Sequence, residues 1–209
     1  MSEAGALSAV TIDVDLEPAR AAADRTRERL LTLVERHDLR RFRYCQVVSI
    51  APLTLPYSHP VIRLNTMART DLGLLCQYLH EQMHWYVTWF GQAEPAAWCA
   101  LLETLAARYP DLPVGLPEGA ADHASSQLHL VVNLLEFEAV STCVDPAAVE
   151  AHLRALPFYT DLYARVLDDQ AALRALYTKA GLLPLRSAES FSAADIALAA
   201  GGSALPSQP

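Results

Sequence analysis

The run Leu79-His80-Glu81-Gln82-Met83-His84-Trp85 constrains this chain more than any other stretch. The pattern around it predicts a helix to about Phe90, starting at Thr70 or Asp71, either of which can cap it. Residues four apart on a helix lie one above the other on the same face. His80 and His84 then stand side by side, placed to share one metal ion. Glu81 projects from the neighbouring face and reaches a water on such an ion without ligating it. Paired imidazoles with an adjacent carboxylate make the HExxH pattern of metal-assisted hydrolysis. The pattern demands a third ligand from elsewhere in the chain. A catalytic zinc is held by three protein groups, with a fourth position left for water.

The best source of that ligand is a second helix, expected over about 125–143. Its residues are apolar on nearly all sides, including Leu130, Val131, Leu134, Leu135 and Val140, so the helix is buried. The exceptions between Leu128 and Phe137 are His129, Asn133 and Glu136, at offsets of four and seven that fall on one face. Buried polar groups must find partners inside the protein, and a metal with its surroundings supplies them. A satisfied polar network in a helical core is the competing account of the stripe. Glu136 is the first choice of ligand. Glu138 lies about 200° around the helix from it, so both cannot face the same ion. His129, about two turns along the same face, is the competing ligand. It is equally placed to act in catalysis by donating a hydrogen bond to a substrate oxyanion. His123 and Glu138 complete the candidates.

The remaining pattern predicts a mostly helical α+β fold. A small N-terminal sheet, with strands at Thr11–Leu16, Arg41–Ile50 and His59–Thr66, packs on a helical core. The third strand reads as an edge open to strand addition by an extended peptide. Helices are expected at about 18–37, 95–108, 146–156, 158–166 and 168–180. Tyr159 and Tyr163 read as a core or half-buried aromatic pair. The Pro- and Gly-rich stretch 109–119 either borders a cleft or connects two helices. Residues 1–209 read as one domain, with about 1–9 disordered and the last twenty, about 190–209, a weak helix that gives way to a disordered tail.

Charge narrows the function classes. The net charge is −8, and Arg40, Arg41 and Arg43 form only a short cluster, which argues against nucleic-acid binding. No segment approaches the roughly 18 apolar residues of a membrane span. The N-terminus lacks the basic and apolar regions of a secretion signal. The four cysteines form no CxxC pair and read as free thiols in a reducing, cytoplasmic setting.

A motif helix preceded by strands, followed after a long insertion by a helix bearing a glutamate, resembles the zincin metallopeptidases. The downstream glutamate gives it the look of the gluzincin branch. The matching residues are His80, Glu81 and His84, with Glu136 the looser match. The windows His80–Trp85 and His129–Glu136 also resemble small uncharacterised zincin-like proteins. The likeness spans about 60–145. Two features depart from the families: the third histidine of the metzincins is missing after His84, and Val140 stands where gluzincins carry an aspartate a turn after the glutamate. The resemblance implies a zinc-dependent hydrolase acting on a peptide or protein. Zn2+ would be held by His80, His84 and Glu136, with Glu81 as general base. A non-catalytic, metal-stabilised regulatory or partner-binding protein, its site closed by His129, is the alternative. A helical protein with no metal is the third possibility.

Overall fold

The computed structural model describes residues 9–12 and 17–201. Among them are eight α-helices and three short strands, a mostly helical α+β fold with its small sheet toward the N-terminus. The chain divides into two compact units, one drawn from residues 1–89 and 187–209 and the other from 90–186.

In the first unit the strands are β1 (Ala9–Ile12), β2 (Val47–Ile50) and β3 (Ile62–Leu64), all parallel in the order β1-β2-β3. Val10, Val48 and Ile62 align across the sheet, as do Ile12, Ile50 and Leu64. Parallel neighbours need a crossover, and helix α1 (Glu17–Arg36) provides it between β1 and β2. Val48, Ile50, Ile62 and Leu64 are fully buried. The first strand starts earlier than the alternation at Thr11–Leu16 implies, and residues 13–16 lie outside the described residues. Only the end of the stretch 41–50 is strand. Its beginning joins a 3-10 turn, Leu39–Phe42, which buries Leu39 and Phe42. Apolar residues three apart suit a 3-10 turn because its side chains at i and i+3 eclipse. The outer edge of β3 is occupied at its centre. The Arg63 N–H donates to the Tyr57 carbonyl at 2.8 Å, and the Tyr57 N–H donates back at 3.1 Å. An extended peptide would have to displace Tyr57 to pair there.

The motif helix is α2 (Asp71–Ala93). Its cap is Thr70, whose Oγ1 accepts from the Gly73 N–H at 3.0 Å. The helix continues past Phe90 through Gly91, and Pro95 opens the next one. Its back is anchored by polar tips on apolar side chains. The fully buried Gln82 carboxamide accepts from the Cys45 N–H and donates to the Cys45 carbonyl, both at 2.9 Å. It also lies 2.9 Å from the Tyr78 hydroxyl. Trp85 Nε1 donates to the Ser58 carbonyl at 2.6 Å, and Trp89 Nε1 donates to Asp195 at 2.8 Å. Gln82 lies about 200° around the helix from His80, so this anchor sits away from the imidazoles.

The helix expected near the C-terminus forms within residues 190–201. Helix α8 (Ala193–Ala200) begins with a capping box in which Ser192 and Asp195 bond each other's backbone. Phe191 packs on Tyr44 and Trp89, with ring centroids 5.2 and 4.7 Å away. His59 stacks on Trp85 at 4.5 Å, and its Nε2 donates to the Ala199 carbonyl at 3.0 Å. Burial holds the pKa of this imidazole below its ordinary value, partly offset by that bond. Small residues weaken the hydrophobic periodicity of such a helix. Residues 1–8 and 202–209 lie outside the described residues.

The second unit contains α3 (Pro95–Arg108), α4 (His123–Ser141), α5 (Pro146–Arg154), α6 (Thr160–Asp168) and α7 (Gln170–Ala180). Helix α4 packs against α3, α5 and α6, which accounts for its nearly all-round apolar sequence. Asp122 caps it by accepting from the Ser125 N–H at 2.7 Å. The loop before it is pinned at several points. The buried Ser126 hydroxyl donates to the Pro113 carbonyl at 2.6 Å and accepts from the Ala120 N–H at 3.0 Å. The Pro117 carbonyl accepts from the Thr160 N–H at 2.9 Å, so the loop fixes the starts of both α4 and α6.

Gly119 lets this loop close. A Cβ there would stand 2.1 Å from the Pro113 oxygen, the atom that Ser126 binds. Gly119→Ala is therefore expected to destabilise the protein by about 1–3 kcal/mol. At roughly 2–4 °C per kcal/mol for a chain of this size, that lowers Tm by several degrees. A circular-dichroism melt checks this, and an unchanged Tm would mean that the loop yields without loss.

Candidate metal centre

The motif helix builds half of the site unaided. On α2 the Nε2 atoms of His80 and His84 lie 3.3 Å apart, with the rings edge-on at 68°. An ion bound tetrahedrally at about 2.0–2.1 Å from each nitrogen needs nitrogens about 3.3–3.4 Å apart. The i, i+4 pair already spans that edge. Both imidazoles are half-buried, and Glu81 beside them is only 5% exposed.

Helix α4 carries the polar stripe as the spacing predicts. Asn133 and Glu136 are buried and His129 is half-buried. His129 Nδ1 lies 2.7 Å from the Ser125 carbonyl, one turn back along the same helix. A carbonyl only accepts, so Nδ1 carries the proton. The neutral ring then presents its lone pair at Nε2, the tautomer and restraint usual for a metal-binding imidazole. In that state Nε2 accepts rather than donates, so donating to an oxyanion would require the ring to take up a second proton. The Tyr159 ring packs on His129 with centroids 4.4 Å apart. Tyr159 sits at φ 54, a left-handed conformation uncommon for a residue other than glycine. Its neighbour Thr160 is held by Pro117.

Glu136 meets a different partner: the Tyr163 hydroxyl donates to its carboxylate at 2.8 Å. Tyr163 of α6 is in the core and Tyr159, the residue before that helix, is half-buried, as expected of the pair, and each meets the polar stripe of α4. Glu138 binds Arg174 of α7, whose guanidinium lies over Phe137. The two glutamates thus address separate partners, as their angular separation requires.

Among the described residues, the histidines that could hold a metal ion are His80 and His84 of the first unit and His129 of the second. The cysteines are free. Three imidazoles are intermediate ligands that suit zinc, copper, iron or nickel. The Ser125 carbonyl that orients His129 and the hydroxyl that meets Glu136 were not foreseeable from side-chain patterns. One is a backbone atom, and the other arrives with a helix whose docking the sequence does not spell out.

No helix among the described residues is long and apolar enough to cross a membrane. Comparison with protein-family models, curated proteins and solved structures returns no match.

Proposed function

We propose that the chain is a zinc-dependent hydrolase of the peptidase kind, with His80 and His84 of α2 holding the ion and Glu81 as general base. The observation that carries this reading is the imidazole pair whose Nε2 atoms lie 3.3 Å apart, with a buried carboxylate next in sequence to its first member. A third ligand from α4, His129 in this proposal, would leave a fourth position for water, the arrangement of a catalytic rather than a structural zinc. Zinc bound there supplies a Lewis acid and lowers the pKa of water toward about 7. Glu81 takes the proton from the attacking water and delivers it to the leaving amine as the C–N bond breaks. The Ser125 carbonyl and the Tyr159 ring orient His129. Glu136, bonded to Tyr163, supports the stripe behind it. Peptides or proteins are the substrates that fit this chemistry. The free cysteines favour a reducing, cytoplasmic setting.

The test is elemental analysis after dialysis against zinc, followed by digestion of a peptide library. Wild type and Glu136→Gln are expected to retain about one zinc per chain, and His129→Ala to lose it. Loss from Glu136→Gln with retention by His129→Ala would return the third position to Glu136. Wild type that holds no metal, and melts alike with and without chelator, would sink the centre itself. Zinc retained, melting lowered by chelator and no peptide cleaved would point to the metal-stabilised, non-catalytic alternative.

A further inference from the structure

The charges of this acidic chain are unevenly spread. Residues 39–70 hold Arg40, Arg41, Arg43, Arg63 and Arg69 and none of the 24 aspartates and glutamates. The whole stretch belongs to the first unit. Large apolar side chains in it face solvent: Leu53 is 92% exposed, Leu55 78%, Met67 70% and Tyr57 39%. Exposed apolar residues scattered singly are ordinary, but a cluster of them among charges of one sign marks an interaction surface.

The sheet brings these residues to one end of the unit. Strands β2 and β3 are parallel, with Ile50 aligned to Leu64 at their carboxyl ends. The Ala51 N–H donates to the Leu64 carbonyl at 2.9 Å. Leu53 comes two residues after one partner of that bond and Met67 three after the other, so both leave the sheet at the same place. The carboxyl end of an open parallel sheet is where ligands gather. Arg69 is exposed there, and Arg29 donates to the Ala68 carbonyl at 2.9 Å, beside Met67. Asp71, the first acid after the stretch, is met by both Arg29 and Arg36, at 3.1 and 3.7 Å. Neither backbone nor burial calls for leucine at position 53. Its φ of 62 is left-handed, a conformation glycine adopts more readily. The loop bearing it is held in place all the same. Thr54 Oγ1 donates to the Ala51 carbonyl at 3.1 Å, Tyr57 pairs with Arg63, and Trp85 holds the Ser58 carbonyl. An apolar loop already fixed loses little entropy on binding.

We infer that this end of the first unit is a docking surface for a peptide segment in which large apolar residues are flanked by aspartate or glutamate. The apolar side chains of the segment cover Leu53, Leu55 and Met67, and its carboxylates face Arg69 and the Arg29–Arg36 pair. Charge and symmetry select this occupant. A two-fold dimer through the surface would set arginines against arginines, and a head-to-tail contact with the acids of a second copy would not close. Nucleic acid would call for stacking rings, whereas Leu53, Leu55 and Met67 are aliphatic. An anionic bilayer would face a chain of net charge −8.

The experiment reads binding of the full-length protein to short fluorescein-labelled peptides by anisotropy, with a thermal melt of each variant in parallel. One peptide alternates Leu and Phe with Asp and Glu. A second carries Lys in place of the acids, and a third carries Ser in place of the apolar residues. Wild type is expected to bind the first at least about 10-fold more tightly than either control. The triple variant Leu53→Gly, Leu55→Ser, Met67→Ser is expected to weaken that binding by about 10-fold or more with Tm little changed. Arg69→Glu is expected to weaken it by about threefold at low salt and hardly at all at high salt. No binding by wild type, equal binding of all three peptides, or wild-type affinity in the triple variant would each overturn the inference. So would phosphatidylserine-vesicle binding or a concentration-dependent dimer that the triple variant loses, with no peptide bound, since the surface would then belong to a bilayer or a second copy. If the triple variant does not fold, Leu55→Ser and Met67→Ser taken singly make the same comparison with the same overturning results. None of these readouts depends on a metal ion or on turnover, so the surface stands or falls apart from the hydrolase reading.

Discussion

Glu81→Gln is expected to keep its zinc and to lose turnover by about 10²–10⁴-fold. The substitution preserves shape and hydrogen-bonding reach while removing the ability to take a proton. Glu81 is placed for that role by the helix: it follows His80 directly and lies about 100° around the axis from it. Burial to 5% exposure keeps bulk water from competing for its carboxylate. The measurement is kcat on a library peptide that wild type cleaves, with zinc content determined on the same preparation. Turnover at the wild-type level would remove Glu81 as the base. Loss of zinc along with turnover would mean that the carboxylate helps to hold the ion, a different chemistry from the one proposed.

How far the site could be read from residues alone depends on which coordinate of a helix is asked for. Angle was legible. The four-residue spacing of His80 and His84 brings their Nε2 atoms to 3.3 Å, and the offsets of His129, Asn133 and Glu136 place them on one stripe. Height was not. His129 and Glu136 differ by only about 20° around the axis but by about 10 Å along it. Periodicity does not encode which of them lies at the height a shared ligand would need. Sequence favours Glu136, whose carboxylate accepts from the Tyr163 hydroxyl. The same limit explains the sheet and the C-terminus. Leu39 and Phe42 satisfy a tight turn as readily as a strand, and α8 has so few large apolar residues that it reads only as a weak helix. Its Ser192–Asp195 capping pair was the available signal.

Gln82→Leu is expected to be the most damaging substitution to stability near the site. Gln82 occupies one of the two unspecified positions of the motif, yet the fold depends on it more heavily than on the surface ion pairs. Its carboxamide serves both backbone groups of Cys45, the residue that leads into β2, and contacts the Tyr78 hydroxyl. Cys45, Tyr78 and Gln82 are all buried, so water does not replace the amide. Leucine strands these partners at about 1–3 kcal/mol each, offset in part by its own apolar burial, for a net loss of about 3–5 kcal/mol. At roughly 2–4 °C per kcal/mol the expected fall in Tm is about 10 °C or more. By contrast, Arg154 with Glu150 and Asp168 forms an exposed network. Its removal is expected to change stability by no more than about 1 kcal/mol. The histidine pair depends on the local helix and lies away from Gln82, so Gln82→Leu that remains folded at low temperature is expected to bind zinc as wild type does. A thermal melt and a zinc titration on one preparation separate the two effects. A Tm within about 2 °C of wild type would mean that Cys45 and Tyr78 find other partners, because a single stranded group alone costs about that much. The anchoring of α2 would then rest on Trp85 and Trp89 instead.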